Sequence, residues 1–108
     1  MEMVRIIILP RGNNIGELVN ACRMISEQTR KESGCRHCSI SHEPDSDNPI
    51  EMKLHWQQMN LLDDYFRSDH FSALLGAIKM LAVDYELTIN DGSPVEGYLA
   101  VNRARRIK

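Results

Sequence analysis

"ESGCRHCSISH", residues 32–42, decides how this chain is read, because Cys35, His37, Cys38 and His42 crowd into it. Cys-x-x-Cys is the spacing of zinc knuckles and of thiol–disulfide redox sites. The redox version sits at a helix N-terminus, where the dipole activates the thiol. Here Gly34 reads instead as the left-handed stop of a preceding helix, so Cys35 opens a strand. Along an unbroken strand, residues three apart face opposite sides and lie about 10 Å apart. A disulfide needs Cα atoms within roughly 7 Å, and zinc needs converging sulfurs, so Cys35 and Cys38 can supply neither. Cys38 and His42 share a face but stand about 13 Å apart. Cys35 and His37 share the other face, and no second Cys-x-x-Cys supports an adventitious metal there. No metal site is expected. The stretch reads as a strand whose face Arg36, Cys38, Ile40 and His42 points inward.

Outward from this strand the pattern is regular. Upstream, Ile15, Leu18, Val19, Cys22 and Ile25 recur at helical intervals, giving a helix through about Ser33. Asn14 and Glu17 have the spacing of a capping box, and Arg30 and Lys31 suit the last turn. Before it, "MVRIIILP" (3–10) is a mostly buried first strand. Downstream, "EPDSDNP" (43–49) is a dense turn signal. Ile50, Met52, Leu54 and Trp56 then alternate with Glu51, Lys53 and His55, which makes a half-buried strand and a hairpin with 35–43. Asn60 caps a short helix, and Ser68-Asp69 caps another carrying Phe71, Leu74, Leu75, Ile78 and Leu81. Val83, Tyr85, Leu87 and Ile89 alternate as a fourth strand ending at "NDGSP". "VEGYLAVNRARRIK" (95–108) is read as a short strand before a tail. The order β-α-β-β-α-β gives an α+β, ferredoxin-like antiparallel sheet with both helices on one face.

The 108 residues suit one domain, divided as 1–102 and a basic tail at 103–108. Four of the 13 basic residues lie in that tail, leaving an acidic body that repels a nucleic-acid backbone. A nucleic-acid partner is therefore not expected, and the tail reads as a frayed terminus. No apolar run approaches the ~18 residues of a membrane span, and no leader is apparent. Three cysteines, an odd number, without a secretory signal point to a reducing cytoplasm.

Gly34 after the helix, "LHW" (54–56) ending the third strand and Ser68-x-His70-Phe71 at the kink between helices resemble the antibiotic biosynthesis monooxygenase (ABM) family of dimeric α/β barrels. The resemblance covers roughly residues 3–91. It implies a homodimer whose sheets face each other and a small-molecule pocket between sheet and helices. Activities in the family include cofactor-independent oxygenation of phenolic polyketides and haem degradation, so the fold transfers better than the reaction. This chain has Leu54 where members commonly carry Glu, Tyr65 and Phe66 where many carry His, and Ile6–Ile8 where the haem-degrading branch uses Asn. Haem degradation is therefore not expected, nor is any other cofactor.

Within that frame, Trp56 either fills the core or walls an aromatic-accepting pocket. His70 stands at a helix start whose dipole favours the neutral imidazole, either as a base toward a phenol or enol or as a structural partner of loose backbone groups. Tyr65 could bind a substrate oxygen or pack against the sheet. An inward Arg36 needs an acidic partner or an anionic ligand. With Cys38 and His42, these form the expected site, His70 catalytic and the others lining. The expected function is a cofactor-independent monooxygenase of a small aromatic or enolic molecule. The alternative is a ligand-binding or purely dimerising protein of the same fold.

Overall fold

A computed structural model describes residues 1–43 and 48–106. In order come β1 (Glu2–Pro10), a 3-10 turn (Gly12–Asn14), α1 (Ile15–Thr29), β2 (Cys35–Ser41), β3 (Ile50–Trp56), α2 (Met59–Phe66), α3 (Asp69–Leu81), β4 (Ala82–Ile89) and α4 (Pro94–Arg106). The strands make one antiparallel sheet in the order β2-β3-β1-β4. This is the expected βαββαβ order with a further helix after it. Of the turn expected at 43–49, residues 44–47 lie outside the described residues.

Alternation sorts the sheet into two faces. Val4, Ile6, Ile8, Ile50, Met52, Leu54, Trp56 and Leu87 point toward the helices, none more than 2% exposed. Across from them, α1 contributes Leu18, Cys22 and Ile25, and α3 contributes Phe71, Leu74 and Ile78. Burying each such side chain contributes about 1.5–3 kcal/mol, which is what holds amphipathic helices on a sheet. On the other face Met3 and Leu9 are exposed beside Arg5, Lys53 and His55.

Gly34 adopts φ +88°, the left-handed stop expected of it, and a Cβ there would meet Leu61 at 2.5 Å. Ser68 caps α3 by accepting from the Phe71 N–H at 3.2 Å. The other caps differ. Asn14 is the last residue of the 3-10 turn and makes no side-chain cap, so it and Glu17 do not close a box. The short helix begins at Met59 with Gln58 as cap, a residue or two before Asn60.

Two expectations are corrected. The register of β2 slips between Cys35 and His37: Cys35 pairs with Trp56, His37 with His55 and Cys38 with Leu54. Arg36 is the extra residue of this bulge and is exposed. A bulge consumes one residue of the alternation. It turns both Cys35 and Cys38 toward the helices and leaves Arg36 outside, against the inward Arg36 and the opposed cysteines that an unbroken strand requires.

The second correction concerns the C-terminal stretch, which is a helix and not a strand with a frayed tail. Ser93 and Glu96 close a capping box, the Glu96 N–H donating to Ser93 Oγ at 3.2 Å and the Ser93 N–H to Glu96 Oε2 at 3.3 Å. Pro94 takes the first helical position, where its missing N–H costs nothing. Gly97 lets the helix lie against β4, since a Cβ there would fall 1.9 Å from the Leu87 carbonyl oxygen. Arg105 holds the far end, donating to the Phe66 carbonyl at 2.8 Å and to Ser72 Oγ at 3.0 Å.

Both edge strands are blunted by side-chain donors: the Tyr98 hydroxyl donates to the Tyr85 carbonyl on β4, and Arg30 Nε to the Cys38 carbonyl on β2 at 2.8 Å.

Candidate functional site

Where α1 ends, β2 begins and α3 starts, most of the expected site residues meet. Trp56 is fully buried at the end of β3, its ring 4.7 Å from that of Tyr65 on α2. Tyr65 also lies edge-on to Phe71 at 5.3 Å, and Phe66 stacks obliquely on Phe71 at 5.0 Å. This aromatic group fills the space between sheet and helices beside Trp56.

A thin polar seam runs through it. The Thr29 hydroxyl and the Tyr65 hydroxyl are 3.3 Å apart, as are Ser26 Oγ and Cys38 Sγ. Burial raises the Tyr65 hydroxyl above its ordinary range, opposed by the bond to Thr29 and reinforced by the thiols and Glu32. Burial likewise raises Cys38, against the Ser26 bond and the nearby Arg30 cation, and raises Cys35. At neutral pH these groups stay protonated, so neither thiol is an activated nucleophile. The Trp56 indole N–H is buried without a hydrogen-bond partner among the described residues.

His70 stands just outside this group, in the first turn of α3, beside the Phe71 that packs on Tyr65. Its Nδ1 lies 2.6 Å from Glu32 Oε1 in the turn after α1, with side chains 37% and 29% exposed. These two residues, with Gln28 and Lys31, line an open recess of about 290 Å³. A carboxylate on Nδ1 fixes the ring and leaves Nε2 to take a proton from a ligand. Lys31 adds a cation at the same mouth.

Of the expected residues, Trp56, Tyr65 and Cys38 come together and His70 adjoins them. Arg36 shares a shallow recess of about 280 Å³ with Arg30, Cys35, His37 and Cys38 on the edge of β2. His42 follows the far end of β2, roughly 20 Å from the Trp56 end at strand spacing. Its Nε2 is buried without a partner among the described residues. Glu32, Lys31 and Gln28 escape a reading of the sequence. They follow or flank a helical stripe, and only the packing of α1 on α3 brings them to His70. Among the described residues no three His, Cys, Asp or Glu side chains converge as a metal-ligand group, and no helix is long and apolar enough to cross a membrane.

The sheet order and the helices on one face define the class: the chain has the ABM-like α+β fold. A candidate antibiotic biosynthesis monooxygenase from Deinococcus radiodurans superimposes with TM-score 0.76 at 17% identity, over 86% of this chain and 93% of that one. A candidate of the same description from Nitrosomonas europaea gives 0.75 at 14%, over 85% and 98%. A conserved protein from Methanosarcina mazei Go1 gives 0.72 at 23%, over 83% and 91%. No family model matches the chain, and no curated protein matches it in sequence. The likeness is one of fold.

Proposed function

We propose that the chain is a cofactor-independent monooxygenase of a small aromatic or enolic molecule, with His70 as the base. The observation that carries this reading is the His70–Glu32 pair at 2.6 Å, opening on a recess that Lys31 also faces. A neutral imidazole takes a proton from the acidic O–H or C–H of the substrate, and Glu32 stabilises the imidazolium that forms. Lys31 stabilises the resulting phenolate or enolate. The carbanion passes one electron to dioxygen, the radical pair combines into C–OO⁻, and the His70 imidazolium returns its proton to give C–OOH on a carbon that still carries a hydrogen. Loss of water then converts C–OOH into C=O. One oxygen atom enters the product and the other leaves as water. The substrate supplies every electron, so the sequence of steps is complete without a further reductant. In this reading Trp56, Tyr65 and Cys38 are core residues that do not line the recess, and Arg36 and His42 stand apart from the chemistry. Two copies pair through the helix-free sheet face, where Met3, Ile7 and Leu9 lie in line along β1.

A second reading has its own support: the filled space beside Trp56 suits a protein of this fold that dimerises without catalysis. Oxygen uptake with a series of phenols and cyclic enols, in air and under anaerobic control, separates the two. Catalysis requires uptake that His70→Gln lowers by about a hundredfold or more, as expected for loss of a general base. It also requires Glu32→Gln to lower uptake by a smaller factor. Absence of uptake across the series, or uptake indifferent to His70→Gln, favours the dimerising protein.

A further inference from the structure

Cys35 and Cys38 take no part in the reaction above, and the β2 bulge changes what they can do. An unbroken strand sets residues three apart on opposite faces, out of reach of a disulfide. Here Cys35 stands opposite Trp56 and Cys38 opposite Leu54, and both of those partners face the helices. Three residue steps of β2 therefore span two steps of β3, with both cysteines on one face.

We propose that Cys35 and Cys38 are a reversible dithiol–disulfide pair, oxidised by exchange with a low-molecular-weight disulfide.

Three arguments support it. The first is reach. Two strand steps are about 6.6–6.8 Å, and the Cα atoms of a disulfide stand up to roughly 6.8 Å apart. A strand bends at its bulge, which shortens that separation further. The second is surroundings. Both side chains line one recess on the edge of β2, together with Arg30 and Arg36, which offer cations to an anionic reagent. Cys35 is raised first by burial and then by the charge of a Cys38 thiolate, so the two sulfurs are near neighbours. Their other contacts are weak ones, Cys35 Sγ to the His37 carbonyl at 3.6 Å and Cys38 Sγ to Ser26 Oγ at 3.3 Å. The third is a division of labour. Cys35 is partly exposed, whereas Cys38 is 2% exposed, so a reagent meets Cys35 first.

The exchange balances in two steps. The Cys35 thiolate attacks one sulfur of R–S–S–R, a mixed disulfide forms on Cys35, and one R–S⁻ leaves. The Cys38 thiolate then attacks the Cys35 sulfur, the internal disulfide closes, and the second R–S⁻ leaves. The protons lost by the two cysteines end on the two released thiols, and the reagent has gained two electrons. Burial raises both cysteines, so exchange is slow at neutral pH and quickens as pH rises. It also makes them poor leaving groups, so the closed bridge resists reduction.

The inference is independent of His70 and of any oxygenase activity. Its test incubates the intact native chain with oxidised glutathione and then blocks the remaining thiols with N-ethylmaleimide in mildly acidic denaturant. Trypsin cuts after Lys31, Arg36 and Lys53, so the reduced pair leaves on two peptides, 32–36 and 37–53. Oxidation is expected to join these peptides, in a chain two hydrogens lighter that keeps Cys22 alone as a free thiol. Cys38→Ser should stop with one glutathione held on Cys35, and Cys35→Ser should react more slowly by about tenfold or more. The initial rate should rise by about tenfold per pH unit between roughly 7 and 9. Peptides that stay separate under a large excess of oxidised over reduced glutathione would overturn the assignment. So would a bridge to Cys22, or joined peptides that form only when the chain is unfolded in urea.

Discussion

The two faces of this one sheet are built from the same strands and behave as different materials. On the helix side every inward residue of β1 and β3 is sealed, and Ser26 pairs with Cys38 and Thr29 with Tyr65; among the described residues the Trp56 N–H and His42 Nε2 are buried without a partner. On the open side the same strands carry Met3, Arg5, Leu9, Lys53 and His55, with an ion-pair cluster around Glu51. Strand period alone sets the division. Stability therefore belongs to one face and binding capacity to the other and to the rim, where His70 meets Glu32. Substitutions should respect that division, and the following ones would break it if it is wrong.

Phe71→Ala should give the largest effect. Phe71 is fully buried against Tyr65 and Phe66, and truncation there should cost about 3–5 kcal/mol in urea denaturation. A loss under about 1 kcal/mol would mean that the helix side is not the packed core described.

The pH dependence should differ between faces in the next degree. Cys22, buried in α1, is raised from its ordinary 9.0 to about 12 by desolvation. The unfolded chain then loses its thiol proton near 9 while the folded one keeps it, so the unfolded state binds fewer protons in between. Stability should fall as pH rises from about 9 to 12, and Cys22→Ala should flatten that limb of a pH series of denaturation midpoints. On the open face Glu51 is lowered by its bonds to Arg5 and then Lys53. Its contribution is present above the ordinary 4.5 and is lost as pH falls through its lowered value. The acid limb from this group should be shallow, because the pair is exposed.

Arg5→Ala should give the smallest effect, about 0–1 kcal/mol on denaturation, despite its 2.7 Å contact with Glu51. Partners that remain in water repay little on pairing. A large loss would show that the pairing of two copies through this face takes Arg5 and Glu51 out of water.

Much of this was legible in the chain. The spacing of apolar residues and the cap signals marked every strand through Ile89, three of the four α-helices among the described residues and the shared face of Ile50, Met52, Leu54 and Trp56. Two features broke the reading for local reasons. The bulge at Arg36 leaves only a faint sign, two polar residues between Cys35 and Cys38 in a weakly alternating stretch; it overturned the facing of Arg36 and Cys35, while Cys38 and Ile40 face the core as expected. The final helix did carry its sign, Ser93-Pro94-x-Glu96, but its stripe of Gly97, Val101 and Ala104 is too small and sparse to mark a buried face. The rim was half legible. His70 was visible from Ser68 and the helix start, whereas Glu32 lies 38 residues away in sequence and meets it only through the docking of α1 on α3.

Trp56 is the chain's single tryptophan, so its fluorescence reports the sealed face without ambiguity. Acrylamide quenching, measured with and without the phenolic and enolic compounds of the uptake series, therefore tests the central division most directly. A filled interior behind a reactive rim requires blue-shifted emission, quenching far below that of free tryptophan, and no change when those compounds are added. Strong quenching, or emission that shifts on adding a compound that is turned over, would show that the site lies within the core beside Trp56 and not at His70 and Glu32.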